Sequence, residues 1–346
     1  MPPLHEMRGG RNRPWLLPAS LATSSLSAAL LAVFLGVVDL PAGDIVLTLT
    51  GGGSPEARAI IIDIRLPRIA TGILAGIHFA VAGLLLQTIT RNPLADPSIM
   101  GISQGATLSV TVFLLFTAYG QAPGSNVLPE LPVAWLPLVG MAGGLAAGVV
   151  IYLLALRLEL GPLRITLCGI AVGAVLHALA IGLIAGWGSA RAEVLLEWLT
   201  GSLYARGWDH AGFLVPFTIT GLALLPLLKR SMGLLTFDAS VARSFGLAYR
   251  LHFSLALLLA CGLAASAVGV VGPLVFVGLI VPHLARFLAR RRQDFLMPLT
   301  IALGAIVVTL ADLAGRLLGG ADEIPLGVIT ALCGAPILIA LLRRTP

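Results

Sequence analysis

Residues 65–105 read RLPRIATGILAGIHFAVAGLLLQTITRNPLADPSIMGISQG. An arginine pair, Arg65 and Arg68, precedes an apolar run that lasts to Ile89. A polar loop with two prolines follows, and then the apolar pattern resumes. Crossing a bilayer core takes about 20 apolar residues, so the stretch predicts a membrane crossing, a tight turn and the start of the return. Each proline holds the residue before it in an extended conformation, which places Asn92 and Asp96 outside helices. Asp96 is then positioned to cap the next helix, with Pro97 at its first position.

The rest of the chain extends the pattern. It is 58% hydrophobic and 11% charged, with a mean hydropathy of +0.98, whereas about a quarter of a soluble domain is charged. Apolar runs at 16–38, 66–89, 98–118, 133–156, 163–186, 211–228, 251–268, 274–289, 298–318 and 325–342 predict an all-α integral membrane protein of about ten transmembrane helices. The first run exceeds the ~7–15-residue core of a signal peptide and is read as a span.

A net charge of +6 and a pI near 9.9 raise the question of nucleic acid, which the distribution of charge answers. With the N-terminus inside, all of the 22 Lys and Arg residues fall at the inner side except Arg58, Arg65, Arg68, Arg191, Arg206 and Arg316. That is the positive-inside pattern. It predicts both termini cytoplasmic, with a lipid bilayer and not a nucleic acid as the surrounding partner. Cys168, Cys261 and Cys333 lie in separate apolar runs without paired spacing, so no disulfide, metal site or cofactor is expected.

Between the spans, the segment from Asp39 to Ile64, with Gly51-Gly52-Gly53-Ser54-Pro55, reads as external and flexible. Arg65 and Arg68 stand at the outer mouth of the second span, where arginines commonly snorkel. The segments 119–132 and 188–209 are expected outside. The second carries Glu193 and Glu197, with Trp198, Tyr204 and Trp208 suited to the headgroup layer and Asp209 as a cap for the sixth span. Arg157 to Arg164, through Gly161-Pro162, is a short internal turn. Gly269-Val270-Val271-Gly272-Pro273 interrupts the apolar pattern without a polar loop, which implies either a pathway or a break covered by protein.

The largest internal connection is KRSMGLLTFDASVARSFGLAYR, Lys229–Arg250. Asp238 is placed to cap a short helix over Ala239–Phe245, and Gly246 to end it in the left-handed region. Such a helix either docks a partner or rests on lipid.

No catalytic residues are expected. There is no HExxH, no GxSxG and no pair of acids placed for general acid and base work. The single lysine, Lys229, lies in LLKR and not in a GxxxxGK[ST] loop, so hydrolysis of ATP is assigned to another subunit. An ion-coupled carrier would need ionisable groups near the midplane. The candidates are His78, His177 and the pair Asp312 and Arg316, which can bond along one helix face at i,i+4.

The elements RLPR, TRNPLADPSIMGISQGA, WLTGSLYARGW, FDASVARSFGL, VGPLVFVGLIVPHLAR and LADLAGRLL with ADEIPLGVITALCGAPIL, in this order, resemble the FecCD-type permease family. That family supplies membrane subunits of type II ABC importers for iron siderophores, haem and cobalamin. The resemblance runs from Arg65 to Leu342. It implies one permease domain over 1–346 in the bacterial inner membrane. The implied partners are a second permease copy or paralogue, two cytoplasmic ATP-binding subunits and a periplasmic substrate-binding protein. The cargo would be an iron chelate, with a ferric siderophore ahead of haem or cobalamin.

Residue by residue, the resemblance implies that Arg65, Arg68 and Arg316 meet the binding protein. It assigns Asp238, Ala239, Val241, Ala242, Phe245, Gly246 and Leu247, within the helix at 238–247, to the ATPase. Asn92 and Leu94 correspond to one cytoplasmic gate loop. Pro162 and Leu163 stand at the other, without the small polar residues of cobalamin-type relatives. His177 lies midway along the fifth span, which lines the pathway in relatives. It is expected to bond a neighbouring helix, with transient contact to haem as the alternative.

Overall fold

The computed structural model describes residues 16–119, 133–157, 161–186, 198–289 and 292–343. Among them every regular element is helical, and each of the ten apolar runs holds one long helix. We label the helices α1 (Leu16–Phe34), α2 (Ala42–Leu49), α3 (Pro55–Thr90), α4 (Ile102–Tyr119), α5 (Leu136–Arg157) and α6 (Pro162–Gly186). They continue as α7 (Trp208–Leu235), α8 (Ala239–Ser244), α9 (Tyr249–Val271), α10 (Val277–Ala289), α11 (Leu296–Gly319) and α12 (Leu326–Leu342). Six of these are long and apolar enough to cross a membrane. Stretches of α1, α4, α10 and α12 form shorter apolar helices.

Helix α3 is the axis of the molecule. It packs against α7, α9, α10 and α11, while α5 covers α9, α4 lies between α5 and α6, and α1 lies on α11. Helices in a bilayer gain little from apolar burial as such, so close backbone approach through small residues matters more. Gly76 of α3 and Gly304 of α11 show this. A Cβ on Gly76 would fall 2.2 Å from the Gly304 carbonyl oxygen, and one on Gly304 would fall 2.5 Å from that of Gly76.

The segment 39–64 departs from expectation. It is largely helical, with α2 followed by the start of α3, and only residues 50–54 form a glycine turn. Ser54 caps α3 by accepting the Ala57 N–H at 3.1 Å, with Pro55 at the first helical position. A π-helical turn, Ala59–Arg65, then leads into Leu66–Thr90. Apolar packing supplies the reason, because Ile45 and Ile61 join Ala32, Val33 and Ile69 in a separate small core.

The Gly269–Pro273 break is covered by protein. Helix α9 continues to Val271, and Gly272 (φ 76) turns the chain against residues 198–201. Ser202 N–H donates to Val271 O at 2.9 Å, and Gly327 N–H to Gly201 O at 3.2 Å. A Cβ on Gly272 would lie 2.4 Å from Trp198 O, and one on Gly327 2.0 Å from Thr200 O. The motifs WLTGS, VGPL and IPLG therefore meet in one knot. Trp198 is buried inside it and not at a headgroup surface, whereas Tyr204 and Trp208 are exposed.

Asp209 does not cap α7. Gly207 occupies that position, and its N–H donates to His210 Nδ1 at 3.3 Å. Arg191, Glu193, Glu197 and the loop 120–132 lie outside the described residues.

Candidate functional site

Each end of α3 carries an arginine-centred cluster. At the Arg65 end, the Arg65 guanidinium donates to Val33 O at 2.6 Å and to Val38 O, taking up carbonyls at and beyond the C-terminus of α1. One turn on, Arg68 Nε donates to both Asp312 oxygens at 3.0 and 3.1 Å, and Nη2 to Asp312 Oδ1 at 2.7 Å. The same guanidinium holds Glu323 through Nη1 at 3.0 Å and Nη2 at 2.8 Å. Arg316 Nε lies 3.1 Å from Asp312 Oδ2, the i,i+4 pairing that the sequence allows.

The structure thus brings Arg68 and Arg316 together on Asp312 and leaves Arg65 on its own task. All three arginines are buried; the Arg65 and Arg68 guanidinium groups are hydrogen-bonded inside the chain, so these two are not snorkelling anchors, while Arg316 pairs with Asp312 and its Nη2 makes no hydrogen bond. Arg58 is exposed at this end. Glu323, from the ADEIPLG motif, is a member that charge spacing did not reveal, because 255 residues separate it from Arg68.

At the other end, Arg91 closes α3 in the left-handed region (φ 50, ψ 29). Asn92 Oδ1 accepts the Leu94 N–H at 2.9 Å, a side-chain turn of the kind Asn forms. Asp96 caps as expected, its Oδ1 accepting the Ser98 N–H at 2.7 Å. The turn it starts reaches only Met100, however. Gly101 (φ 80) breaks it, and α4 begins at Ile102.

The Asp96 carboxylate is enclosed, with Oδ2 making no hydrogen bond. Burial pushes its pKa up against the opposing hydrogen bonds from Ser98. Pro162 and Leu163 open α6, and the Leu163 side chain is exposed, as is that of Leu94.

Helix α8 sits beside this turn. Its end is a Schellman closure: Leu247 N–H donates to Ala242 O at 3.1 Å and Gly246 N–H to Arg243 O at 2.9 Å, with Gly246 at φ 80. Ala242 and Leu247 are buried in the chain's own core, so neither faces outward as a docking residue would. Phe237, Val241 and Phe245 are the apolar side chains left open, at 53%, 40% and 69% exposure. Ala239 is half-buried and Asp238 exposed. Asp238 has the backbone of an N-cap but no capping hydrogen bond. Its carboxylate accepts instead from Arg91 Nη1. Arg91 also donates through Nε to Leu235 O and through Nη2 to Tyr249 Oη, both at 3.3 Å.

His177 is not where it was expected. His177 lies on the open face of α6 and not against a neighbouring helix. His78 is the buried one, with Nδ1 3.0 Å from Ser266 Oγ of α9 and Nε2 2.7 Å from Thr218 Oγ1 of α7. Among the described residues, no group of three or more His, Cys, Asp or Glu is arranged to hold a metal ion.

These features, an α3 axis clamped at both ends and a glycine knot joining three motifs, lie within the part of the chain, residues 24–344, that matches the family model FecCD transport family. The chain belongs to that family. This FecCD protein is 34% identical over 335 residues to the Fe(3+)-citrate import system permease protein YfmE of Bacillus subtilis, covering 96% of both chains. It is 34% identical over 316 residues to the Fe(3+) dicitrate transport system permease protein FecD of Escherichia coli, covering 91% of this chain and 94% of FecD. The ferric enterobactin permease FepD of E. coli is 33% identical over 320 residues, 92% of each chain.

A solved structure of a metal-chelate type ABC transporter in an inward-facing conformation superposes with a TM-score of 0.82 and 27% identity. The match covers 95% of this chain and 99% of that one. The FecCD protein is thus a multi-pass membrane protein and a transport permease subunit, not an enzyme.

Proposed function

We propose that this chain is the permease subunit of an ABC importer that moves a ferric chelate, a siderophore or citrate complex, from the periplasm to the cytoplasm across a bacterial inner membrane. The reading takes 1–346 as one transmembrane domain of ten crossings with both ends cytoplasmic. The domain pairs with a second copy or a paralogue and works with two ATP-binding subunits and a periplasmic binding protein. Relatives named for ferric citrate, siderophore and enterobactin transport support the cargo class.

The observation that carries the reading is α8, a short helix fixed from behind by Ala242 and Leu247 that leaves Phe237, Val241 and Phe245 open. An exposed apolar patch marks contact with a protein or with a membrane, and here it is read as contact with a protein. On this reading the ATP-binding subunit sits on those three side chains, and Asp238, Ala239 and Gly246 shape the frame. Asn92 and Leu94, with Pro162 and Leu163, form the cytoplasmic gate. The binding protein seats on the rim that Arg65, Arg68 and Arg316 hold together, and Arg58 meets it at the surface.

Co-expression with an ATP-binding subunit, with the periplasmic binding protein supplied, tests this. The complex is expected to hydrolyse ATP and to take up ferric citrate or a ferric hydroxamate into vesicles, while the permease alone hydrolyses none. ATP turnover by the purified permease alone would overturn the assignment. Relatives named as permeases of import systems favour this reading over the ion-coupled alternative.

A further inference from the structure

Arg91 stands between the two parts of the molecule that an importer of this kind has to move together. Its backbone leads directly into the Asn92–Asp96 turn, and its side chain reaches the whole α7–α8–α9 connection. One arm holds the last carbonyl of α7 (Leu235 O), one the residue ahead of α8 (Asp238) and one the hydroxyl that opens α9 (Tyr249). Two observations set it apart from an ordinary helix end.

The first is conformation. A left-handed residue closing a helix is most easily Gly or Asn. If reversing the chain were the only task, an arginine would be a poor choice, so the side chain is what this position adds. The second is exposure. The Asp238 side chain is 79% exposed, and it sits on the same short segment as the open Phe237, Val241 and Phe245. A solvent-facing ion pair can break and re-form without stranding a buried charge, unlike an enclosed one. That property suits a joint that works in every cycle.

We infer that Arg91 is a positioning residue that couples α8 to the gate turn: a partner pressing on α8 moves Asp238, and the Arg91 backbone carries that displacement into Asn92–Asp96. The inference rests on the permease reading above and deepens it.

The test uses the complete complex in lipid vesicles. The reporter is Ile99→Cys, half exposed in the turn beyond Asp96, with Cys168, Cys261 and Cys333 replaced by alanine. Its rate of labelling by a membrane-impermeant maleimide is compared without nucleotide and after trapping with ATP and vanadate. In the reporter background the two rates are expected to differ by about fivefold or more, the lower end of ordinary coupling.

Arg91→Gly keeps the left-handed backbone comfortable and removes the arms. It is expected to erase most of that difference while ATP hydrolysis and co-purification of the ATP-binding subunit persist. Exchanging the charges, Arg91→Asp with Asp238→Arg, is expected to restore part of it, which a purely structural role would not do. A wild-type response in Arg91→Gly overturns the inference. So does loss of the partner subunit in that variant, which would make Arg91 an assembly element, and so does an exchange no better than its single parts. A reporter complex that binds no ATP-binding subunit would instead defeat the permease reading itself.

Discussion

At one end of α3, Arg68 holds Asp312, whose side chain is 5% exposed. At the other, Arg91 holds Asp238, which is 79% exposed. Both are arginine–carboxylate contacts between segments far apart in sequence, yet they differ in what breaking them leaves behind. Losing Arg68 takes away the guanidinium that Glu323 shares with the enclosed Asp312 and leaves Asp312 to Arg316 alone, whereas losing Arg91 leaves Asp238 in water. The first cluster therefore fixes α3 to α11 and to the approach to α12, and the second leaves the α8 hairpin free to shift. Position along one helix thus separates a permanent joint from a working one.

The largest effect is expected from Arg68→Ala. Breaking a buried ion pair by removing one partner costs about 3–5 kcal/mol, so detergent-solubilised protein should show a sharply lowered unfolding temperature and a poor yield. A near-wild-type melting curve would show that this end is not the fixed one. Replacing Arg68, Asp312, Arg316 and Glu323 together by apolar residues should recover much of the loss, because no charge of the cluster is then left unpaired.

Next comes Phe245→Asp at the open face of α8, expected to weaken capture of the ATP-binding subunit by roughly 2 kcal/mol, as for an interface hot spot. The permease melting temperature should stay where it is. Ala242→Glu, in contrast, is expected to unfold the hairpin, since Ala242 faces the core. The two variants separate docking from packing when pull-down and thermal melts are read together.

Asp96→Asn sharpens the comparison through pH. The folded-state pKa of Asp96 is raised by burial, so the folded form binds its proton more tightly than the unfolded chain does. Stability from this group is present in acid and is lost as pH rises from about 4, the ordinary carboxylate value, through the raised folded value. The asparagine variant should lack that slope, and its advantage over wild type should grow with pH until the folded value is passed. Parallel melting-temperature profiles of the two proteins would contradict the burial. The smallest effect is on the fold of Arg91→Gly, expected within about 1 kcal/mol of wild type because the acid left behind faces water and glycine relieves the left-handed backbone, which offsets the lost arms.

The sequence made the helices legible because membrane spans announce themselves by length. The ten apolar runs follow from that, and the Asn92–Asp96 turn from its two prolines. Which way each side chain faces was not legible, because a span in lipid is apolar on its core side and its outer side alike. Amphipathic periodicity, the usual guide, is therefore weak here. His78 and His177 look equivalent on paper, yet one ties three helices and the other faces outward. Charge position along the axis likewise placed Arg65 and Arg68 at one end but gave no sign that they turn inward. Asp312 and Glu323 reach Arg68 across 244 and 255 residues, and no local pattern carries that pairing. Asp238 reads as a cap because Asp favours the residue before a helix, and its backbone does take that conformation. The competing arm of Arg91 was invisible without the fold.

The knot of Trp198–Ser202, Gly272–Leu274 and Gly327 has a consequence for recombination among relatives. Three motifs scattered along the second half of the chain share one set of backbone contacts with no room for a methyl group, so they have to fit one another. A chimera that takes residues up to α9 from one permease and the remainder from another cuts through that unit and sets unmatched backbones against each other. A crossover placed before Trp198 carries all three across together. Attempts to transfer cargo preference between family members by splicing should therefore succeed or fail according to whether the junction falls inside or outside residues 198–327.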